Sequence, residues 1–386
     1  MKIIVIDPIA SVPYYDYSLC KALTENGCNV ELITCPFKAD PDFNFYGIKH
    51  KLFFFPWVSS YKLRDNTKWL YKLYQVVKGI EYIKDIFRLL IYIKKNHADI
   101  IHLQWSELPS VDVIWLILLK KMGFKLVYTA HNILPHEEKP KHKLFYNFLY
   151  NIFDRVIVHS LHDKKQLSSQ FDIIENKIAV IPHGNLNIHI TDKSLSKIKA
   201  RDKLGIRQQD IVALFFGLIR PYKGIEYLLN AWNKIALQNS HWHLIVAGKK
   251  FMSLDTIEMN PKHITFHNCF IPFEMVPYYF TASDVVILPY TKTYNSGVLH
   301  LAYSFGVPVI ASRVGGISEV LEEGNSGFLV EPSNVDELAD TIKKALSNKS
   351  MLKKMGKYAK CLSDSKYSWE NISQHTLKIY EDVKKD

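Results

Sequence analysis

Cysteine is sparse. The chain holds five in 386 residues, dispersed at Cys20, Cys28, Cys35, Cys269 and Cys361, with no Cys-x-x-Cys pair. An odd, scattered set excludes a disulfide framework and a zinc site and points to a reduced, cytoplasmic protein. Long hydrophobic runs are missing too: no apolar stretch reaches the roughly 18 residues expected of a spanning helix. The best candidate, Val113–Leu119, is broken by Asp112 before it and Lys120-Lys121 after it. Met1–Pro8 is too short for the apolar core of a secretory signal and reads as a buried first strand. The expectation is a soluble protein, seated at most on the inner face of a membrane. No P-loop lysine motif occurs, and Pro8–Tyr14 stands where a Gly-x-Gly-x-x-Gly would follow the first strand, so no nicotinamide cofactor is expected. The only Asp-x-Asp string, Asp40-Pro41-Asp42, reads as a turn rather than a metal site.

What is present is a large apolar fraction, 48%, enough for a sizeable core and, at this length, two domains. Lys and Arg outnumber Asp and Glu by 49 to 38, a net charge of +11 that calls for an acidic partner. Nucleotide phosphates, an anionic membrane surface and nucleic acid all qualify. Nucleic acid ranks last, because the cations coincide with strand-end loops and one aromatic-rich segment.

Short Val/Ile/Leu runs alternate with amphipathic stretches. Strands are expected at Ile3–Ile6, Asn29–Thr34, Ile100–Leu103, Lys125–Thr129 and Arg155–His159. The pattern restarts after about residue 190, with strands at Ile211–Phe216, His241–Ala247, Ile264–His267, Val285–Leu288, Val307–Ala311 and Gly327–Val330. Helices are expected at Tyr15–Asn26, around Trp69–Asn96, and at Tyr227–Leu237, Glu274–Thr281, Val298–Phe305 and Val335–Ser347. Apolar strands separated by helices imply parallel sheets covered on both faces. The fold class is therefore α/β, with two Rossmann-like, doubly wound domains whose strand C-termini face a cleft. The expected divisions are 1–190, 191–366 and a terminal helix 367–386, with the polar stretch Asn185–Lys203 as linker.

The segment from Tyr290 to Gly316 is the most telling. A strand ends at Pro289, a polar loop follows, and a helix starts near Ser296-Gly297. Free N–H groups of Ser296, Gly297, Val298 and Leu299 at a helix N-terminus suit a phosphate, and Gly297 lets an anion approach the main chain. Gly217-Leu-Ile-Arg-Pro-Tyr-Lys-Gly224 closes another strand, so Arg220 and Lys223 can clamp a diphosphate. A solvated loop with two ordinary cations is the plain alternative. Gly248-Lys249 repeats the pattern at a further strand end, or is simply a turn. Cys269–Pro277 follows another strand and could hold a base against its backbone, or merely connect strand to helix. His131 lies just past a buried strand, where an imidazole could bond a sugar hydroxyl or stabilise developing charge. With 16 histidines in the chain, several must instead be structural. Between Lys51 and Lys95, basic residues interleave with Phe53, Phe54, Phe55, Trp57, Trp69, Tyr71, Tyr74, Tyr82 and Tyr92. That mixture suits a membrane interface or a lipid-diphosphate acceptor, or else forms core with a solvated lysine face.

Taken together, these segments resemble the GT-B-fold retaining glycosyltransferases of glycosyltransferase family 4. Phe215-Phe-Gly217, Arg220, Lys223-Gly224, Ser283–Pro289, Phe305–Ala311, Val314–Gly316 and Gly327–Val330 match the second domain's loops. Thr129-Ala-His-Asn132, Ile181-Pro-His-Gly184 and Tyr367-Ser-Trp-Glu370 resemble the first domain's histidine segment, the domain exit and the terminal helix. The resemblance implies that Arg220 and Lys223 neutralise a donor diphosphate alongside the Ser296–Leu299 main chain. It implies that His131, with Thr293, Tyr294 and Asn295, meets the donor sugar, and that Gly248, Lys249, Phe270 and Ile271 meet the base. His131, Arg220 and Lys223 would be the catalytic set, with no metal and no other cofactor. The substrates it implies are a UDP- or GDP-sugar donor and a glycan or lipid-diphosphate-linked acceptor. Two glutamates common in relatives align with Thr293 and Leu301, and the usual arginine aligns with Leu218. A subgroup with Ser-Gly-Val-Leu in this loop is the better match. Rivals are a GT-B-like sugar-nucleotide epimerase and a non-catalytic nucleotide-sugar-binding scaffold.

Overall fold

The computed structural model describes residues 1–37, 40, 43, 45–58, 68–135, 140–192, 194–254 and 263–385. In chain order the first half forms β1 (Lys2–Asp7), α1 (Pro13–Glu25), β2 (Asn29–Thr34), β3 (Lys49–Leu52), α2 (Lys68–Asn96) and β4 (Ile100–Leu103). It continues with α3 (Pro109–Lys121), β5 (Lys125–Thr129), α4 (Pro140–Ile152), β6 (Arg155–Val158), α5 (Leu161–Gln170) and β7 (Ile178–Val180). The second half forms α6 (Lys197–Leu204), β8 (Ile211–Phe216), α7 (Ile225–Ile235), β9 (Trp242–Ala247), β10 (Ile264–His267), α8 (Val276–Ala282) and β11 (Val285–Leu288). Then come α9 (Gly297–Ser304), β12 (Val309–Ser312), α10 (Ile317–Val320), β13 (Gly327–Val330), α11 (Val335–Leu346), α12 (Lys349–Asp364) and α13 (Trp369–Lys385).

Two compact units result. One comprises Met1–Pro182 with Trp369–Asp386, the other His183–Ser368. These divisions fall after 182 and 368, where the sequence reading placed them after 190 and 366. Asn185–Lys203, expected to be a linker, lies inside the second unit. The Asn185 N–H donates to the Tyr367 carbonyl at 2.8 Å, and Ser196 caps α6, which ends at Gly205 with φ of 68°.

The first unit holds a parallel seven-stranded sheet in the order β3-β2-β1-β4-β5-β6-β7. α13 belongs to this unit: Ile372, Tyr380 and Val383 share a core with Ile3, Leu19 and Leu23. Its Tyr380 hydroxyl meets His102 Nδ1 at 2.6 Å inside that core. Asp112, read as breaking an apolar run, instead organises α3. Its carboxylate accepts from Tyr82 (2.6 Å), Ser106 (2.6 Å), Trp115 Nε1 (2.9 Å) and the Leu108 N–H (3.1 Å).

The second unit holds a parallel six-stranded sheet in the order β10-β9-β8-β11-β12-β13. Alternation along each strand builds two cores, one per face. Phe215, Val246, Ile287 and Ile310 point to one; Leu214, Ile245, Leu288 and Ala311 point to the other. The aromatic-rich segment divides in the first unit: Phe54, Phe55 and Tyr82 are buried, whereas Trp57, Trp69 and Tyr71 are exposed. Residues 59–67 of that segment, and Pro41 and Asp42 of the Asp-x-Asp string, lie outside the described residues. Among the described residues, no helix is long and apolar enough to cross a membrane.

Candidate active site

In the second sheet the strand order reverses between β8 and β11, so the loops after these strands flank a topological switch point, where ligands of such sheets bind. Close backbone contacts knit the loops together. Gly224 has φ of +62°, and a Cβ there would lie 2.0 Å from the Pro289 carbonyl oxygen. Gly315, with φ of +52°, would put a Cβ 1.9 Å from the Thr293 carbonyl oxygen. Both positions therefore demand glycine. The Thr291 N–H donates to the Tyr222 carbonyl and the Gly316 N–H to that of Tyr294, at 2.9 and 2.8 Å.

Two cations stand on this framework. The Lys223 ammonium lies 3.0 Å from the point a Cβ of Gly217 would occupy and 5.2 Å from the Tyr290 ring centroid. Arg220 rests over the Phe251 ring at 5.4 Å, with Lys249 at 5.8 Å from the same ring. Among the described residues, neither Lys223 nor Arg220 forms an ion pair. Burial pushes the pKa of Lys223 down, and the charge of Arg220 pushes the same way. An anion at this point would relieve both effects.

The helix N-terminus divides its amides. The Ser296 N–H is taken by Asn295 Oδ1 at 2.8 Å, and the Leu299 N–H by Ser296, as N-cap, through its carbonyl (3.1 Å) and hydroxyl (3.4 Å) oxygens. Gly297 and Val298 keep N–H groups without an acceptor among the described residues. A Cβ at Gly297 would meet only Leu186, at an ordinary 3.8 Å. The protein's own packing does not explain that glycine. The Thr293 hydroxyl donates to the Asn295 carbonyl at 2.7 Å. Leu301 is buried in the apolar core and presents nothing to a ligand. After β9 and β10, the Gly248 N–H donates to the His267 carbonyl at 3.0 Å; Lys249 and Phe270 are exposed and Ile271 is buried.

In the first unit, His131 is buried among Gln104, His159 and Tyr15. His159 Nδ1 lies 3.0 Å from the Ile181 carbonyl, which can only accept, so that nitrogen carries the proton. His159 Nε2 lies 3.1 Å from His131 Nδ1, and His131 Nε2 lies 3.0 Å from Gln104 Oε1. Gln104 and His159 thus hold the His131 ring in its orientation, and neither is among the site residues expected from the sequence. Their one signal was position: each directly follows a strand. A second unforeseen feature is the buried pair Asp7 and Asp16. Asp7 accepts from the Ser11, Ile9 and Val12 N–H groups at 2.6, 3.2 and 3.3 Å. Burial raises the pKa of both, and the charge of Asp7 raises Asp16 further.

Residues 14–184 match Glycosyltransferase Family 4 and residues 196–361 match Glycosyl transferases group 1. An uncharacterised glycosyltransferase of Methanocaldococcus jannaschii is 30% identical over 59% of this chain and 60% of its own length. The lipopolysaccharide 1,2-N-acetylglucosaminetransferase of Salmonella typhimurium is 30% identical over 51% of this chain and 54% of its own. The alignments thus span little more than half of these two relatives. The Anabaena protein HepE, solved in complex with UDP-glucose, superposes with a TM-score of 0.74 at 18% identity, covering 99% of this chain and 100% of its own. The chain belongs to the group 1 and family 4 glycosyltransferases, and its two parallel sheets are those of the GT-B fold.

Proposed function

We propose that the chain transfers a hexose, with retention of configuration and without a metal ion, from a nucleoside diphosphate sugar to a glycan or lipid-diphosphate-linked acceptor in surface polysaccharide synthesis. The observation that carries this reading is the juxtaposition of Arg220 and Lys223, which form no ion pair among the described residues, with the open Gly297 and Val298 amides on adjacent switch-point loops. Such a set stabilises a departing diphosphate electrostatically, the largest contribution in reactions of this type. The sugar C1–phosphate bond breaks and a C1–oxygen bond to the acceptor forms on the same face. The acceptor's proton passes to the leaving phosphate oxygen. His131 meets the donor sugar with Thr293, Tyr294 and Asn295, while Gly248, Lys249, Phe270 and Ile271 hold the base. UDP-glucose is the favoured donor, in keeping with the ligand of HepE, and GDP-mannose the second.

Peripheral seating on an anionic membrane is part of the reading. Trp69, Leu73, Val76, Ile80, Ile83 and Phe87 form an exposed stripe along α2, and half-buried Lys84 sits 3.2 Å over the Trp57 ring. A second reading, a binding scaffold without turnover, draws on Thr293 and Leu301, neither of which supplies a carboxylate. Incubation with labelled UDP- and GDP-sugars in chelator decides between them. Transfer or slow hydrolysis with retained anomeric configuration is expected, whereas binding without turnover would leave the scaffold.

A further inference from the structure

The end of the second sheet opposite the switch-point loops carries another concave site. Ser283 and Asp284 lead into β11 there, Gly306–Pro308 lead into β12, and α12 runs alongside. The helix approaches closely because Gly356 lies against Gly306: a Cβ on Gly356 would stand 2.1 Å from the Gly306 carbonyl oxygen. A cavity of about 580 Å³ results, within the range of small-molecule sites. Lys197, Lys349, Lys353, Lys357 and Lys360 line it, facing a single carboxylate, Asp284. Spacings of four, four and three residues place the last four lysines on one face of α12.

Asp284 is already fully engaged. It accepts from Lys197 at 2.6 Å, from buried Arg201 at 2.9 Å and from the Val212 N–H at 2.8 Å. Lys360 is paired with Asp364 at 2.8 Å. Lys349, Lys353 and Lys357 form no ion pair among the described residues. The cavity therefore gathers cations that the protein does not neutralise. Burial lowers the pKa of Lys197, and the charges of Arg201 and Lys349 add to that against Asp284.

We propose that this cavity is a second ligand site, which takes a phosphate ester carrying two or more negative charges. Several mobile ammonium groups suit a polyvalent phosphate, which they meet as point charges. The site lies at the N-terminal ends of β11 and β12, roughly 13 Å of strand away from the loops that hold Lys223. It is therefore independent of the donor site, and of the proposed transfer. The ester arrives free in solution or as the headgroup of an anionic lipid.

Calorimetric titration of inorganic tripolyphosphate into the full chain and its K353E/K357E variant, each with and without saturating UDP, forms one arm. Sedimentation with phosphatidylcholine vesicles, with and without phosphatidic acid, forms the other. A loss on the order of tenfold in tripolyphosphate affinity in K353E/K357E, larger at low salt and persisting with UDP bound, is expected for a soluble ester. Loss of phosphatidic-acid-dependent sedimentation in K353E/K357E would assign the lipid headgroup instead. Equal behaviour of wild type and K353E/K357E in both arms overturns the proposal. Thermal melting checks that the charge reversal leaves α12 folded, and K353A/K357A replaces it if not.

Discussion

Lys223 stands beside Gly217 with no carboxylate paired to it among the described residues, and that separates its functional from its structural role. Lys223→Ala should lower transfer by about 2–4 kcal/mol of transition-state stabilisation, the scale of a lost oxyanion donor. It should not lower the melting temperature, because removing an unpaired, desolvated cation relieves a cost. Loss of stability without loss of rate would mean the lysine is structural. Gly297 offers a parallel case. Since a Cβ there meets only Leu186 at 3.8 Å, Gly297→Ala should fold normally yet weaken UDP binding in a calorimetric titration; unchanged affinity would remove the amide from the phosphate site. Asp16 offers a test in pH. Its folded pKa is raised above the ordinary 3.8 by burial first and by Asp7 second, so the stability it contributes is complete below 3.8 and falls as pH rises through the folded value. Asp16→Asn removes that titration. Urea melts should show the variant gaining on wild type as pH rises; a difference constant with pH would mean that Asp16 is not held above its ordinary pKa.

At the scale of elements, the loops after β8, β11 and β12 hold one another by main-chain contact rather than by side-chain packing. Gly315→Ala combines a positive φ with an approach of 1.9 Å to the Thr293 carbonyl oxygen. It should cost at least about 2 kcal/mol in denaturant titration, and a neutral effect would show that the loop can move aside. The strands at Asn29–Thr34, Ile100–Leu103 and Ile211–Phe216 were legible residue for residue, since buried parallel strands are rich in Val, Ile and Leu. β3 was not: Lys-His-Lys-Leu lies at an exposed edge, where pairing rather than burial makes the strand. α12 was also unread, because its apolar residues are few and its lysines follow the helical repeat on the opposite side.

For the whole molecule, chain order and unit membership part company at α13. Ile372, Tyr380 and Val383 are wholly buried within the first unit although they close the chain. Each such burial contributes roughly 1.5–3 kcal/mol. Deletion of residues 369–386 should therefore lower the melting transition of the first unit steeply while leaving that of 183–368 in place. A single shifted transition in calorimetry, moving both units together, would contradict independent cores.

Local pattern alone indicated an α/β chain with two parallel sheets and placed Arg220 and Lys223 after a strand and Gly297 at the start of a helix; the glycosyltransferase fold was expected from the resemblance to family 4. Hydrophobic alternation and glycine placement are properties of neighbouring residues, so they can be read along the chain. Which amides remain open, that Gln104 and His159 flank His131, that Asp7 and Asp16 are both buried and that five lysines line the cavity beside Asp284 were decided only in three dimensions. Each depends on the folded chain bringing elements together, and hydrogen-bond partnership and desolvation exist only once that has occurred.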